Sequence, residues 1–261
     1  MMKRIAMLLA VGAIGLGTAL CRGAVVLGDT QLFGENNDDD TTVTLSLDDF
    51  TIQSNDLLVV AFGQEHNDGA DGGIADVQYG GQDMTRVAFA DRSNGTNTAL
   101  ASIWAIDPAN GTSDITLYPG VENIRFISSV VYLSGVEEKA EAVDEADLGG
   151  TAITAGPISV SDGAFVLDSF AESSGNSTTT QKGLSESGIG GAVLQENSDT
   201  AFSKLAASTV ISGSDQDIST TWHNDSSERA ALVVASFAEI PEPAAATLLL
   251  LAGVAMLRRR G

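Results

Sequence analysis

The chain has 261 residues, with 35 acidic against 13 basic side chains, a formal net charge of −22 and a pI of about 4.1. A balance this negative repels phosphates and excludes nucleic acid as a partner. One cysteine excludes a disulfide scaffold and a thiolate metal cluster, and two histidines, His66 and His223, leave little for a zinc site. Hydrophobic content of 43% is enough for a packed core, and the length suits one domain or two small ones.

The chain opens on Met1-Met2-Lys3-Arg4 and an uncharged run of 16 residues from Ile5 to Leu20. Positive residues followed by a short apolar stretch have the layout of a secretory signal peptide over residues 1–23. The run is short and glycine-rich for a membrane span, which needs about 20 residues. Cys21 follows Leu20 rather than a small residue, so it is expected to leave with the leader and not to carry lipid.

From residue 24 onward, strand signals dominate. Thr41 to Leu47 alternates polar and apolar, so one face is buried. Leu57 to Phe62 is a continuous apolar run, the mark of a central strand. Val77 to Tyr79, Thr85 to Ala90 and Leu100 to Ile106 follow, separated by turn clusters such as Asp68 to Gly73 and Asp107 to Gly111. Ile115 to Tyr118 and Ile124 to Leu133 continue the series. Glu137 to Leu148 is the one helix-friendly window; it is short and acidic, ends at Gly149-Gly150, and is expected to be a solvated loop or a marginal helix. Strands resume at Ile158 to Val160, Ala164 to Ala171, Leu205 to Ile211, Ile218 to Trp222 and Ala231 to Phe237. Many short strands with Gly- and Asn-rich turns predict an all-β fold, a β-sandwich or jelly-roll-like ectodomain over residues 24–238.

Some segments echo at an offset of about 100 residues. Asn55 to Phe62 resembles Ser161 to Phe170, and Thr112 to Leu117 resembles Asp215 to Thr220. Each of the latter pair leads into a long apolar strand. An internal duplication and the generic rhythm of a β-sandwich both account for this, and the rhythm is the simpler reading. The order of features also resembles a recurring type of bacterial surface domain. It is carried by Asn55-Asp56-Leu57-Leu58-Val59-Val60, by Tyr79 to Thr85, by Ser102-Ile103-Trp104 and by Leu133-Ser134-Gly135-Val136. That resemblance implies a β-sandwich and no chemistry.

Catalytic signals are weak. No Gly-x-Ser-x-Gly elbow occurs, and both histidines sit in polar, turn-like stretches, so no Ser-His-Asp triad is expected. A glycosidase would need two carboxylates at a set spacing, and their abundance here has no diagnostic value. Trp104 lies in an apolar strand and reads as core. Trp222 ends a strand beside a polar turn, where it could stack on a sugar ring or close the edge of a core. Calcium takes oxygens from Asp-, Asn- and Gly-rich loops. Asn67 to Asp76 has that composition, with Asp68, Asp71 and Asp76 as candidate ligands, but it lacks the Glu an EF-hand needs and equally suits a solvated hairpin loop. No catalytic residue and no required cofactor are expected, with calcium the one candidate ion.

The last segment, residues 239–261, is more specific. Pro241-Glu242-Pro243 is followed by 14 uncharged residues, Ala244 to Leu257, then Arg258-Arg259-Arg260. The prolines leave an extended, accessible peptide. The apolar run is expected to form a single helix able to enter a membrane, with Arg258, Arg259 and Arg260 holding its far end on the cytoplasmic side. Motif, helix and arginine cluster together resemble the PEP-CTERM sorting signal of Gram-negative bacteria. The resemblance implies a membrane protease-transferase, the exosortase, as partner. It also implies transient anchoring, tail removal, and delivery to the outer surface or extracellular matrix. Pro241, Glu242 and Pro243 are then another enzyme's substrate.

The charge divides unevenly. Six basic residues (Lys3, Arg4, Arg22, Arg258, Arg259 and Arg260) and only one acidic residue, Glu242, lie outside residues 24–240, which leaves 7 basic against 34 acidic and a body at −27. The expected function is that of an exported, non-enzymatic surface or matrix protein. A carbohydrate-binding module for exopolysaccharide is the alternative, and a carboxylate-dependent glycosidase the third.

Overall fold

A computed structural model describes residues 26–34, 42–47, 56–66, 73–93, 98–107, 113–120, 125–137, 140–149, 152–173, 183–186, 191–200, 203–223 and 229–240. The leader (1–23), Asp68, Asp71, Pro241-Glu242-Pro243, the apolar run 244–257 and Arg258, Arg259 and Arg260 lie outside them. Residues Val25–Ala238 form one compact unit. No helix among the described residues is long and apolar enough to cross a membrane.

The unit is antiparallel in every strand pairing among its described residues. Its first half contains β1 (Val26–Gly34), β2 (Val43–Leu45), β3 (Asp56–His66), β4 (Ile74–Tyr79), β5 (Gln82–Asp83), β6 (Thr85–Ser93), β7 (Thr98–Ile106), β8 (Ile115–Pro119) and β9 (Arg125–Ser134). Its second half contains β10 (Ala142–Gly149), β11 (Ala152–Val160), β12 (Phe165–Ser173), a 3-10 turn (Gly183–Glu186), β13 (Ala192–Thr200), β14 (Ser203–Ile211), β15 (Gln216–His223) and β16 (Arg229–Phe237).

The two halves are wired alike. The first forms a five-stranded sheet, β1-β9-β3-β7-β6, and a second sheet, β2-β8-β4-β5. The second forms β10-β16-β12-β14-β13 and β11-β15. In each half the first strand pairs with the last, the second with the next-to-last, and the third with the strand before that. Replacing β1, β2, β3, β6, β7, β8 and β9 by β10 to β16 in order reproduces the pairing. A generic sandwich rhythm does not require the same strand order twice. The segments that echo in the sequence lie on strands that correspond in this order, β3 with β12, β8 with β15 and β9 with β16.

The five-stranded sheets pack face to face, and the smaller sheets lie outside them. Burial follows this layering. β3 is buried at every position, and β7 and β16 nearly so, because both faces of an inner sheet are covered. β11 and β15 alternate buried and exposed, as strands with one wet face do. Three cores result. Leu58, Val60, Phe62, Trp104, Leu117 and Val130 fill the first sandwich. Val166, Phe170, Val210, Ile218, Trp222 and Leu232 fill the second. Leu57, Val59, Ile103 and Val131 meet Phe165, Leu167, Val233 and Phe237 between them. β3 lies over β12; to one side β7 and β6 lie over β16 and β10, and to the other β9 lies over β14 and β13. That arrangement is the layout of an approximate two-fold axis running along the strands.

Glu137 to Leu148 departs from expectation. Residues 142–149 are neither loop nor helix: they are β10, paired along its length with β16. The free edge of β16 supplies a complete ladder, and that tertiary pairing overrides a weak helical preference. An acidic sequence also suits an edge strand, where charge discourages pairing with other chains. β1 and β13 are also strands that apolar runs do not mark.

Candidate functional site

The densest buried polar group lies in the second sandwich. Asp168 sits mid-strand in β12, on the face shared with Val166 and Phe170, and is fully buried. Its Oδ1 accepts the Ser208 backbone N–H at 2.6 Å. Its Oδ2 accepts the Ser208 hydroxyl at 2.7 Å, the Thr220 hydroxyl, and the Trp222 indole N–H at 3.0 Å. Ser208 Oγ in turn accepts the Leu184 N–H at 2.8 Å. One carboxylate thus joins β12, β14, β15 and the 3-10 turn. Burial pushes its pKa up to about 6, against the lowering effect of the Thr220, Ser208 and Trp222 hydrogen bonds. Four donors converge on an acceptor with no exposed surface, so the group is built to hold the outer sheet onto the inner one.

Trp222 is part of this knot. It is fully buried, stacked on Phe170 with ring centroids 5.4 Å apart and planes 12° from parallel. A sugar-stacking face at Trp222 is corrected: both the ring and its polar N–H are occupied within the core. Gly183 explains how tightly the ring is covered. Its φ is +46°, and a Cβ there would meet Trp222 Cζ2 at 2.5 Å and also collide with Ser208 Oγ. Gly183→Ala is therefore expected to destabilise the protein by about 1–3 kcal/mol from overpacking, with the left-handed backbone adding about 1 kcal/mol. Urea unfolding checks this, and an unchanged midpoint would contradict it.

The first sandwich has a neutral counterpart. Gln64 of β3 is buried, donates to Ser102 Oγ at 3.2 Å, and accepts the Ile74 N–H at 2.9 Å. Trp104 donates its indole N–H to the same Ser102 oxygen at 3.1 Å. In this half Gln64 alone bridges the two sheets, through the Ile74 N–H on β4, while Ser102 and Trp104 both belong to β7.

The remaining candidates stay apart from these knots. Asp76 lies on β4, half-buried, with its carboxylate accepting the Val77 N–H at 2.9 Å and the Gln78 amide at 3.4 Å. Asp68 and Asp71 lie outside the described residues, so the calcium expectation rests largely on residues without a described position. Among the described residues no three His, Cys, Asp or Glu side chains converge as metal ligands. His66 is not in a turn: it closes β3 opposite Thr98 and is buried. His223 ends β15, exposed. The sequence did hold a signal for the main knot. Asp168 is a lone carboxylate inside the apolar run Phe165 to Phe170, and such a residue must find donors.

No protein-family model matches the chain, and no curated protein matches it. Among solved structures, a chain from the atomic structure of Sulfolobus turreted icosahedral virus aligns at 11% identity, covering 91% of this chain and 99% of that one, with a TM-score of 0.25. At that score the likeness carries no argument about fold or function.

Proposed function

We propose that this chain is an exported, non-enzymatic protein of the cell surface or extracellular matrix, built from two stacked jelly rolls and sorted through a PEP-CTERM tail. The observation that carries the reading is the succession Pro241-Glu242-Pro243, the apolar run Ala244 to Leu257 and Arg258-Arg259-Arg260. The leader-like segment Lys3 to Leu20 supports export, and the nested pairing of first strand with last supports the jelly-roll description of each half. The body's charge of −27 suits a soluble protein whose copies repel one another and whose spacing is set by salt.

In this reading an exosortase-type membrane protease is the partner, and the body serves as scaffold. The alternative, a module for exopolysaccharide, would have to use a surface other than Trp222. Replacing Pro241, Glu242 and Pro243 by alanine in the native host is expected to leave the tail attached, seen as a heavier, membrane-associated band by immunoblot and intact mass. Normal processing of that variant would remove the sorting reading.

A further inference from the structure

The two ends of the body leave it at the same place. β1 opens with Val26 opposite Ser134, the last residue of β9. Three residues further along the linker, the Glu137 N–H donates to the Ala238 carbonyl at 2.8 Å, one residue past the end of β16. Entry and exit therefore flank the linker between the two sandwiches. The strand ends carrying Leu57, Leu133, Phe165 and Phe237 lie at this end, and Ala99, Ile127 and Ala171 cluster at the other.

The exit is held to its last residue. Phe237 is fully buried and pairs with Phe165, and the Ser236 carbonyl accepts the Glu141 N–H at 2.8 Å. Only Glu239 and Ile240 then separate Ala238 from Pro241. Three residue steps reach at most about 10 Å. Four sheet layers spaced about 10 Å apart span roughly 30 Å before side chains are counted. A membrane enzyme closing on Pro241-Glu242-Pro243 must fit against a folded end several times wider than that reach.

We infer that the body meets an integral-membrane processing enzyme end-on, and that the end formed by the linker, the 161–164 turn and the close of β16 is the surface that limits access to the sorting motif. Around the exit it presents Glu137, Glu141, Ser161 and Asp162, with Ser161 tied to Glu141. The opposite end of both sandwiches points away from the enzyme. This inference rests on the sorting reading above.

The test inserts ten Gly/Ser residues between Ile240 and Pro241 of the full chain, adding roughly 17 Å of root-mean-square reach. Tail loss is followed by pulse-chase in the native host. The expected result is several-fold faster processing than wild type. An equal or slower rate would overturn the inference, because the folded end would then not be limiting. The same insertion carrying alanines at Pro241, Glu242 and Pro243 separates the two ideas. If that protein still loses its tail, the sorting reading has failed, whatever the spacer does.

Discussion

Trp222→Ala is expected to cost about 3–5 kcal/mol, the range for removing a large buried aromatic. That is a large share of the 5–15 kcal/mol that holds a typical domain folded. Three losses combine. The ring leaves its stack on Phe170, a cavity opens beneath Gly183, and Asp168 loses one of its four donors. Asp168 would remain buried with three hydrogen bonds, so part of the cost comes from a less compensated carboxylate. Urea or thermal unfolding reads the effect directly, as a midpoint far below wild type. A loss under about 1 kcal/mol would mean that the ring sits at the periphery, as a surface stacking role requires. Trp222→Phe keeps the apolar volume in part and removes only the indole donor, so its cost should be clearly smaller.

Acidification is expected to stabilise the protein through Asp168. Its folded pKa is raised from 3.8 to about 6, so the folded state holds a proton that the unfolded chain releases between those values. The contribution is fully present below about pH 3.8 and is lost as pH rises through about 6. That difference in pKa between the unfolded and folded states corresponds to about 3 kcal/mol in all. Somewhat under half of that should appear as a higher unfolding free energy between pH 7.5 and 5, and the rest only as pH falls further towards 3.8. Other carboxylates of a body at −27 also respond to acid, so the comparison that isolates this group is wild type against Asp168→Asn. The variant should show a flatter profile between pH 5 and 7.5. Identical slopes in the two proteins would show that Asp168 does not titrate in this window. The direction is opposite to ordinary acid unfolding, in which paired carboxylates lose stabilising partners on protonation. Here the carboxylate has donors but no cation among its hydrogen-bond partners, and burial outweighs the donors.

Strands on inner sheets were legible because both of their faces are covered. Leu57 to Phe62 is apolar without interruption, and Leu100 to Ile106 and Ala231 to Phe237 are broken only by the buried Ser102 and Ser236. Outer strands such as β15 were legible through alternation, since one face meets water. β10 and β13 were not legible. Their place is at sheet edges, where a polar or acidic sequence is tolerated and the strand exists because a neighbour offers hydrogen bonds. Residues 142–149 make the point: alone they lean toward a helix, and beside β16 they are extended. The repeat of strand order was visible only as a faint echo. Matching topologies can be built from different side chains, provided the inward positions stay apolar.

Of the candidate site, composition and motif could locate residues but not surround them. Trp222 next to Thr220, Thr221 and His223 looks like the end of a strand near solvent. Its burial depends on Phe170 from β12 and on the turn at Gly183, residues far away in the chain. Asp168 interrupts an apolar run, and only the meeting of β12, β14 and β15 reveals that Ser208, Thr220 and Trp222 satisfy it.

By itself, then, the sequence determined the all-β class, the excess of negative charge between residues 24 and 240, and the three-part succession at residues 241–260. These follow from local composition and spacing, which need no folded partner. The tertiary structure alone decided that the same strand order recurs in the two halves, that Trp222 faces inward, and that both ends of the body emerge beside the linker. Each of those depends on contacts between segments distant in the chain. Such contacts are set by strand pairing and by the burial of opposing faces, and no local pattern encodes them.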